Sequence, residues 1–257
     1  MSTTQHTNAA GPSAPSGLSG LVVSAHSADF VWRAAGTIAT HVAQGYRVKI
    51  VCLSFGERGE SAKLWRKGAE MTEAKVKTAR REEAQRAADI LGAEIEFLDI
   101  GDYPMRVSDE TLFRLVDIYR ELQPSFVLSH SEKDPYNFDH PLAMHVTQEA
   151  RVIAQAEGHK PGEKIIGAPA VLAFEPHQTE QCEWIPNTFV DITPVWEKKR
   201  AAIECMAGQE HLWDYYTRVA LQRGVQAKRN IGITAARDIK YAEGLMRLTP
   251  VVAQHLS

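Results

Sequence analysis

Cysteine is scarce in this chain: Cys52, Cys182 and Cys205 are its three examples, far apart and without a CxxC pair. An odd, scattered set excludes a disulfide framework and suits a reducing compartment, expected to be the cytoplasm. An excess of one charge sign is lacking too. Lys+Arg 29 against Asp+Glu 32 gives a formal net charge of -3, which provides no basic footprint for nucleic acid. No apolar run approaches a bilayer span, so no membrane partner is expected. Residues 1–20 lack the basic n-region and apolar h-region of a signal peptide. Their Ser, Thr, Ala, Gly and Pro content predicts a disordered leader ahead of one α/β domain over residues 21–257.

What is present is a regular alternation. Leu21–Ser24 is a short apolar run that feeds a polar turn. Phe30–Gln44 carries Val31, Ala35, Ile38 and Val42 at helical spacing, with Gly45 as its stop. Val48–Phe55 is a buried-strand candidate. Thr72–Leu91 reads as a long helix with Thr72 at the N-cap and Gly92 just past its end. Ile95–Leu98 and Ser125–Ser129 are further strands, and Asp109–Leu122 is the helix between them. Four strands alternating with three helices predict a Rossmann-like, mostly parallel sheet with helices on both faces. In such sheets ligands bind beyond the carboxyl ends of the strands. The polar clusters of this sequence fall there, after Ser24, Phe55, Leu98 and Leu128. Beyond residue 141 the pattern supports a helix over His140–Glu157, a strand over Ala170–Phe174 and a helix over Thr193–Gly208.

Two of the clusters contain metal-ligand chemistry. His26 and Asp29 lie three apart at a strand-to-helix turn, and the second cluster runs from Asp134 to His140. Catalytic zinc prefers three N/O protein ligands and one open position. Spacing alone leaves a helix cap beside a surface imidazole as open a reading as a metal site.

The ordered segments AHSADF, SFGERGE, RREEA, FLDIGDYPM and HSEKDPYNFDH, over roughly residues 21–150, resemble the PIG-L/LmbE deacetylase family. That family carries AHPDDE, a TxGExG-like loop, RxxEA and an HxxDxHxDH-like segment in the same order. The resemblance implies a Rossmann-like fold and Zn2+ held by His26, Asp29 and His140. Two positions depart from the pattern. Ala28 stands where the family has the Asp that serves as general base, and Asn137 stands where it has a His that stabilises an oxyanion. Alanine can neither accept nor deliver a proton, and Asn can donate a hydrogen bond but cannot be cationic.

Retained ligands with lost hydrolytic machinery point to a changed reaction. The segments VVSAHSADFVWRA, VCLSFGERGESAKLW, HPLAMH, FEPHQ and MAGQEHLW extend the resemblance along nearly the whole chain past residue 20. They are similar to hydratases of bacterial aromatic degradation, which implies hydro-lyase activity on the C=C of a small tricarboxylate. A deacetylase with a base recruited elsewhere and a metal-retaining binding protein are the alternatives. Hydration needs a base for water and an acid for carbon. The candidates are Glu60, with its pKa raised by partial burial, and His177, with Glu57 as the other possible base. Arg33, Arg58 and Lys63 are candidate carboxylate clamps, and Asn137 is a further substrate contact. His130 and Asp134 are expected to orient ligands, and His145 to be structural or to support a ligand. Trp213, Tyr215 and Tyr216 are assigned to packing or to a subunit interface in an expected homo-oligomer.

Overall fold

The computed structural model describes residues 17–232 and 237–252. Most of the expected leader therefore lies outside the described residues. The first strand, β1, begins at Ser19, so Ser19 and Gly20 belong to the sheet and not to a leader.

Seven strands form one sheet in the order β3-β2-β1-β4-β5-β7-β6. β1 (Ser19–Ser24), β2 (Arg47–Cys52), β3 (Glu94–Phe97), β4 (Phe126–Ser129) and β5 (Ala170–Phe174) pair in parallel. β7 (Ala242–Arg247) runs antiparallel to both β5 and β6 (Thr188–Asp191). The irregular C-terminal third thus supplies a two-strand edge that period reading did not locate, because those strands are short and interrupted by charge.

Side chains alternate along the parallel strands, and each set packs a different layer of helices. Val22, Ile50, Cys52, Leu128 and Phe174 meet α1 (Asp29–Ala43), α3 (Glu73–Leu91) and α6 (Trp196–Glu204). Leu21, Val23, Val51, Val127 and Ala173 meet α4 (Asp109–Leu122) and α5 (Asp139–Ala154). α2 (Ala62–Trp65) is one short turn after β2, and α7 (Trp213–Ile231) lies against β7 and β6. A 3-10 turn over Thr193–Val195 and an irregular one over Ala207–Leu212 interrupt the helix expected over 193–208.

Helix punctuation follows the sequence signals. Thr72 Oγ1 accepts the Lys75 N–H at the start of α3, and Gly92 ends it at φ 76°, a left-handed conformation that costs glycine nothing. Ser108 caps α4 in the same way. The strand order reverses between β2-β1 and β4-β5, and the crevice at that switch lies between the loops after β1 and β4.

Candidate active site and metal centre

The turn after β1 is built by Asp29. Its Oδ2 accepts the backbone N–H of His26 at 2.8 Å, curling the chain into α1 and turning the fully buried His26 ring inward. His26 Nε2 lies 3.3 Å from Asp139 Oδ2, and Asp139 is itself held by the N–H groups of Tyr103 and Met105, each at 3.1 Å. A carboxylate already accepting two N–H donors takes its third from His26 Nε2, which leaves Nδ1 as the nitrogen facing Asp29 and Glu60. The loop after β4 repeats the device. His140 Nδ1 lies 2.8 Å from Asp134 Oδ2, and Asp134 Oδ1 accepts the N–H groups of Tyr136 and Asn137. Nε2 of His140 is then the free nitrogen. Carboxylates that fix the tautomer and direction of imidazoles in this manner accompany metal-binding histidines.

The loop after β2 completes the cluster. Gly56 turns it at φ 66°, and a Cβ there would come within 3.2 Å of the Cβ atoms of both Glu60 and His26. The loop carries Glu60 inward, placing Oε1 3.2 Å from His26 Nδ1 and 3.9 Å from His140 Nε2. Asn137 Nδ2 reaches the same oxygen at 3.5 Å. Arg80 of the RREEA segment anchors the loop from below. Fully buried, it donates to Phe55 O, Glu83 and Gln209, and Phe55 O also accepts the Ser27 hydroxyl.

His26, Asp29, Glu60 and His140 each place one donor atom within 4.8 Å of the others. His26 Nδ1 and His140 Nε2 are buried without a hydrogen-bond partner. Two imidazole nitrogens without hydrogen-bond partners, facing two carboxylates, are the arrangement a divalent cation satisfies, and the donor set fits one.

The electrostatics agree. Burial opposes the charge of Asp29, but the imidazoles around it, His140 and His26 among them, outweigh this and hold its carboxyl well below the usual range. Burial likewise lowers His26, while Glu60, Asp139 and Asp29 overcome this and push the imidazole well above its ordinary value. A proton or a metal ion can answer this concentration of negative charge, and the two compete. Glu60 corrects the expectation of a raised pKa. Burial would raise it, yet the His26 charge wins, and Glu60 is held below the ordinary glutamate range. His130 is pushed down to about 3 by burial and by His140, so it is neutral; its Nε2 accepts the Ala25 N–H at 2.9 Å, and its ring stacks on His140.

Arg33 is buried on the α1 turn above Asp29, with Nε 3.6 Å from Asp29 Oδ1, and it holds the carbonyl of Glu175. It remains the cation nearest the cluster among the clamp candidates. Arg58 and Lys63 do not join it. Arg58 is exposed and pairs with Glu73 and the Asp102 carbonyl, while Lys63 reaches Glu210 and Ala207 O across the surface. Both leave the loop after β2 on its solvent side, where carboxylates of neighbouring elements capture them. Glu57 also turns away. It is buried beside Lys77, with burial and Asp102 raising its pKa.

His145 is exposed on α5 and pairs with Glu149, one helical turn on, so it supports no ligand. His177 follows β5 and is exposed as a residue, yet the atoms crowded around its ring and the Arg33 charge push it down to about 4. Tyr216 is buried and packs on Trp32, as expected, but both tyrosines also reach His177: the Tyr215 hydroxyl donates to His177 O, and the Tyr216 hydroxyl lies 3.4 Å from His177 Nε2. Sequence reasoning missed Asp139, which touches His26 directly. Its one signal was the Asp-His pair at 139–140, and in such a pair the helix-start reading hides the first residue. At the two departures from the family pattern, the Ala28 methyl is wholly buried in the core, and Asn137 faces Glu60.

A crevice at the topological switch of a Rossmann-like sheet, holding a His/Asp/His set, defines a metal-site α/β protein, and the chain belongs to the PIG-L family. The family model, described as GlcNAc-PI de-N-acetylase, matches residues 21–151. The chain is 76% identical to a 4-oxalmesaconate hydratase of Pseudomonas putida KT2440, over 93% of this chain and 92% of that one. It is also similar to a crystal structure of GalB, the 4-carboxy-2-hydroxymuconate hydratase of the same organism, with TM-score 0.91, 74% identity and coverage of 93% and 100%. An N,N'-diacetylchitobiose deacetylase of Pyrococcus horikoshii, 23% identical with TM-score 0.71 and coverage of 90% and 83%, shares the fold.

Proposed function

We propose that this chain is a hydro-lyase that adds water to the C=C of 4-oxalomesaconate, giving 4-carboxy-4-hydroxy-2-oxoadipate. The observation that carries this reading is 76% identity to a hydratase over 93% of the chain. The two relatives' names describe keto and enol forms of one tricarboxylate, so they point to a single substrate. The structure is consistent with a changed reaction: a buried methyl occupies the position of the hydrolytic base, and an Asn replaces the oxyanion His.

His26, Asp29 and His140 are proposed to hold Zn2+, with the Glu60 carboxylate beside them. A zinc ion there would supply Lewis acidity to the reacting oxygen. The remaining chemistry belongs to the side chains. Glu60, kept ionised by its histidine neighbours, takes a proton from water as the water oxygen bonds to C4. Asn137 Nδ2 steers the Glu60 carboxylate. The electron pair of the C4=C5 bond moves toward C5, which sits beside a carboxylate, and a proton delivered there completes the addition. His177 is the proposed acid. Its pKa is lowered by desolvation of the ring and by Arg33. A bound tricarboxylate neutralises Arg33 and adds negative charge, which raises the imidazole into the range an acid needs.

No helix among the described residues is long and apolar enough to cross a membrane. The test is a spectroscopic assay: purified, metal-loaded protein should abolish the conjugated-enol absorbance of the substrate. An unchanged absorbance together with acetate release from acetylated amino sugars would favour the deacetylase reading instead.

A further inference from the structure

The segment that carries His177 is gripped by one helix. Glu175 forms a two-point ion pair with Arg223 of α7, with Arg223 Nε 2.8 Å from Glu175 Oε2 and a second contact through Nη2. Tyr215 of the same helix donates to the His177 carbonyl at 3.1 Å, and the Tyr216 hydroxyl meets His177 Nε2 at 3.4 Å. From the other side, Arg33 Nη1 donates to the Glu175 carbonyl at 3.0 Å. Backbone, side-chain charge and ring are therefore each held, and α7 supplies a contact for all three. Residues 216 and 223 are seven apart, which places them two turns along a common face.

Tyr216 is built for more than packing. It is 3% exposed, and its ring stacks on Trp32 at 5.3 Å with an interplanar angle of 13°. Trp32 adjoins Arg33, so the stack fixes the phenol relative to the turn that carries Asp29 and Arg33. Among the described residues its hydroxyl has one hydrogen-bond partner, the ring of His177. A buried phenol proton left without an acceptor is costly, and among the described residues the lone pair within reach is Nε2 of a neutral imidazole.

We infer that Tyr216 is a positioning residue for the hydration reaction: its hydroxyl donates to Nε2 of His177 and so holds the resting imidazole in the tautomer protonated at Nδ1. This rests on the hydratase reading for its functional meaning, though the tautomer itself does not. When the ring becomes charged, the same hydroxyl can accept from Nε2–H, so the contact survives both protonation states. Tyr215 and Arg223 hold the backbone and the preceding side chain, and Tyr216 alone of the three addresses the reacting ring.

Tyr216→Phe tests this, because it keeps the stack on Trp32 and removes only the hydroxyl. Long-range nitrogen–proton NMR spectra of histidine-labelled protein report which ring nitrogen carries the proton, and His177→Gln assigns the signal. Wild type should show His177 predominantly protonated at Nδ1. Tyr216→Phe should shift this pattern toward the Nε2-protonated form, while Tyr215→Phe leaves it in place. With 4-oxalomesaconate, Tyr216→Phe should lower kcat about tenfold to a hundredfold, as loss of orientation does, with KM within about twofold. Metal content and Tm should match wild type. Identical His177 signals in wild type and Tyr216→Phe overturn the inference, as does a kcat loss that appears only with lost metal or a lowered Tm. Wild type that fails to hydrate the compound overturns the functional reading instead, and the tautomer result stands apart from it.

Discussion

His140 Nδ1 donates to Asp134 Oδ2 at 2.8 Å, and this one bond determines that Nε2 is the nitrogen left facing Asp29 and Glu60. Asp139 does the same for His26. His26→Ala, Asp29→Ala and His140→Ala should each lose bound metal, measured by elemental analysis of purified protein. Asp134→Ala should weaken metal affinity about 10–100-fold while leaving the ligands in place. A full metal equivalent in all three ligand variants would show the assignment to be wrong.

The two glutamates of the loop after β2 should separate cleanly. Glu60 faces the cluster and Glu57 faces Lys77. Glu60→Gln should depress kcat by about 10²–10⁴-fold with normal metal content. Glu57→Gln should keep turnover near wild type. Steady-state kinetics on both variants decide it, and the reverse outcome moves the base to Glu57.

Adding the hydrolytic base back should not recreate a deacetylase. Ala28→Asp places a carboxylate where a methyl is wholly buried in the core, and Asn137 still replaces the family's His. The expected result is no acetate from acetylated amino sugars. Efficient release by this single substitution would show that the rest of the site is still hydrolytic.

Acid should destabilise the fold partly through His177. Its folded pKa of about 4 lies below the ordinary 6.5. Between these values the unfolded chain binds a proton that the folded chain refuses, so this contribution is complete above pH 6.5 and is lost as pH falls toward 4. The fall in Tm from pH 7 to pH 5 should be smaller in His177→Gln than in wild type. Equal falls in the two proteins would rule this contribution out.

Arg80 should matter for stability and, through the loop it anchors, for Glu60. Its removal strands Glu83 in a buried site and frees the Phe55 and Gln209 oxygens. Breaking a buried pair from one side costs about 3–5 kcal/mol. Arg80→Ala should therefore show a large drop in Tm by calorimetry; an unchanged Tm would mean that the loop is held by other contacts.

The sequence by itself determined the local architecture. The apolar run of Leu21–Ser24 and the 3.6-residue periodicity in Asp109–Leu122 are short-range signals, and the caps at Thr72 and Gly92 are read from single residues. His26, Asp29 and His140 were legible because motif order preserves them, and their polar clusters sit at strand ends. Only the tertiary structure decided which charged neighbours face the crevice. Glu57, Arg58 and Glu60 share one loop, and Lys63 lies on the short α2 that follows it, yet the turn at Gly56 sends Glu60 inward while Lys77, Glu73 and Glu210 draw the others away. These partners lie on other elements, and no local pattern encodes them. The same holds for α7: Tyr216 is 39 residues from His177 along the chain, and it becomes a partner of that ring because the antiparallel edge of β7 and β6 folds the C-terminal helix back over the end of β5.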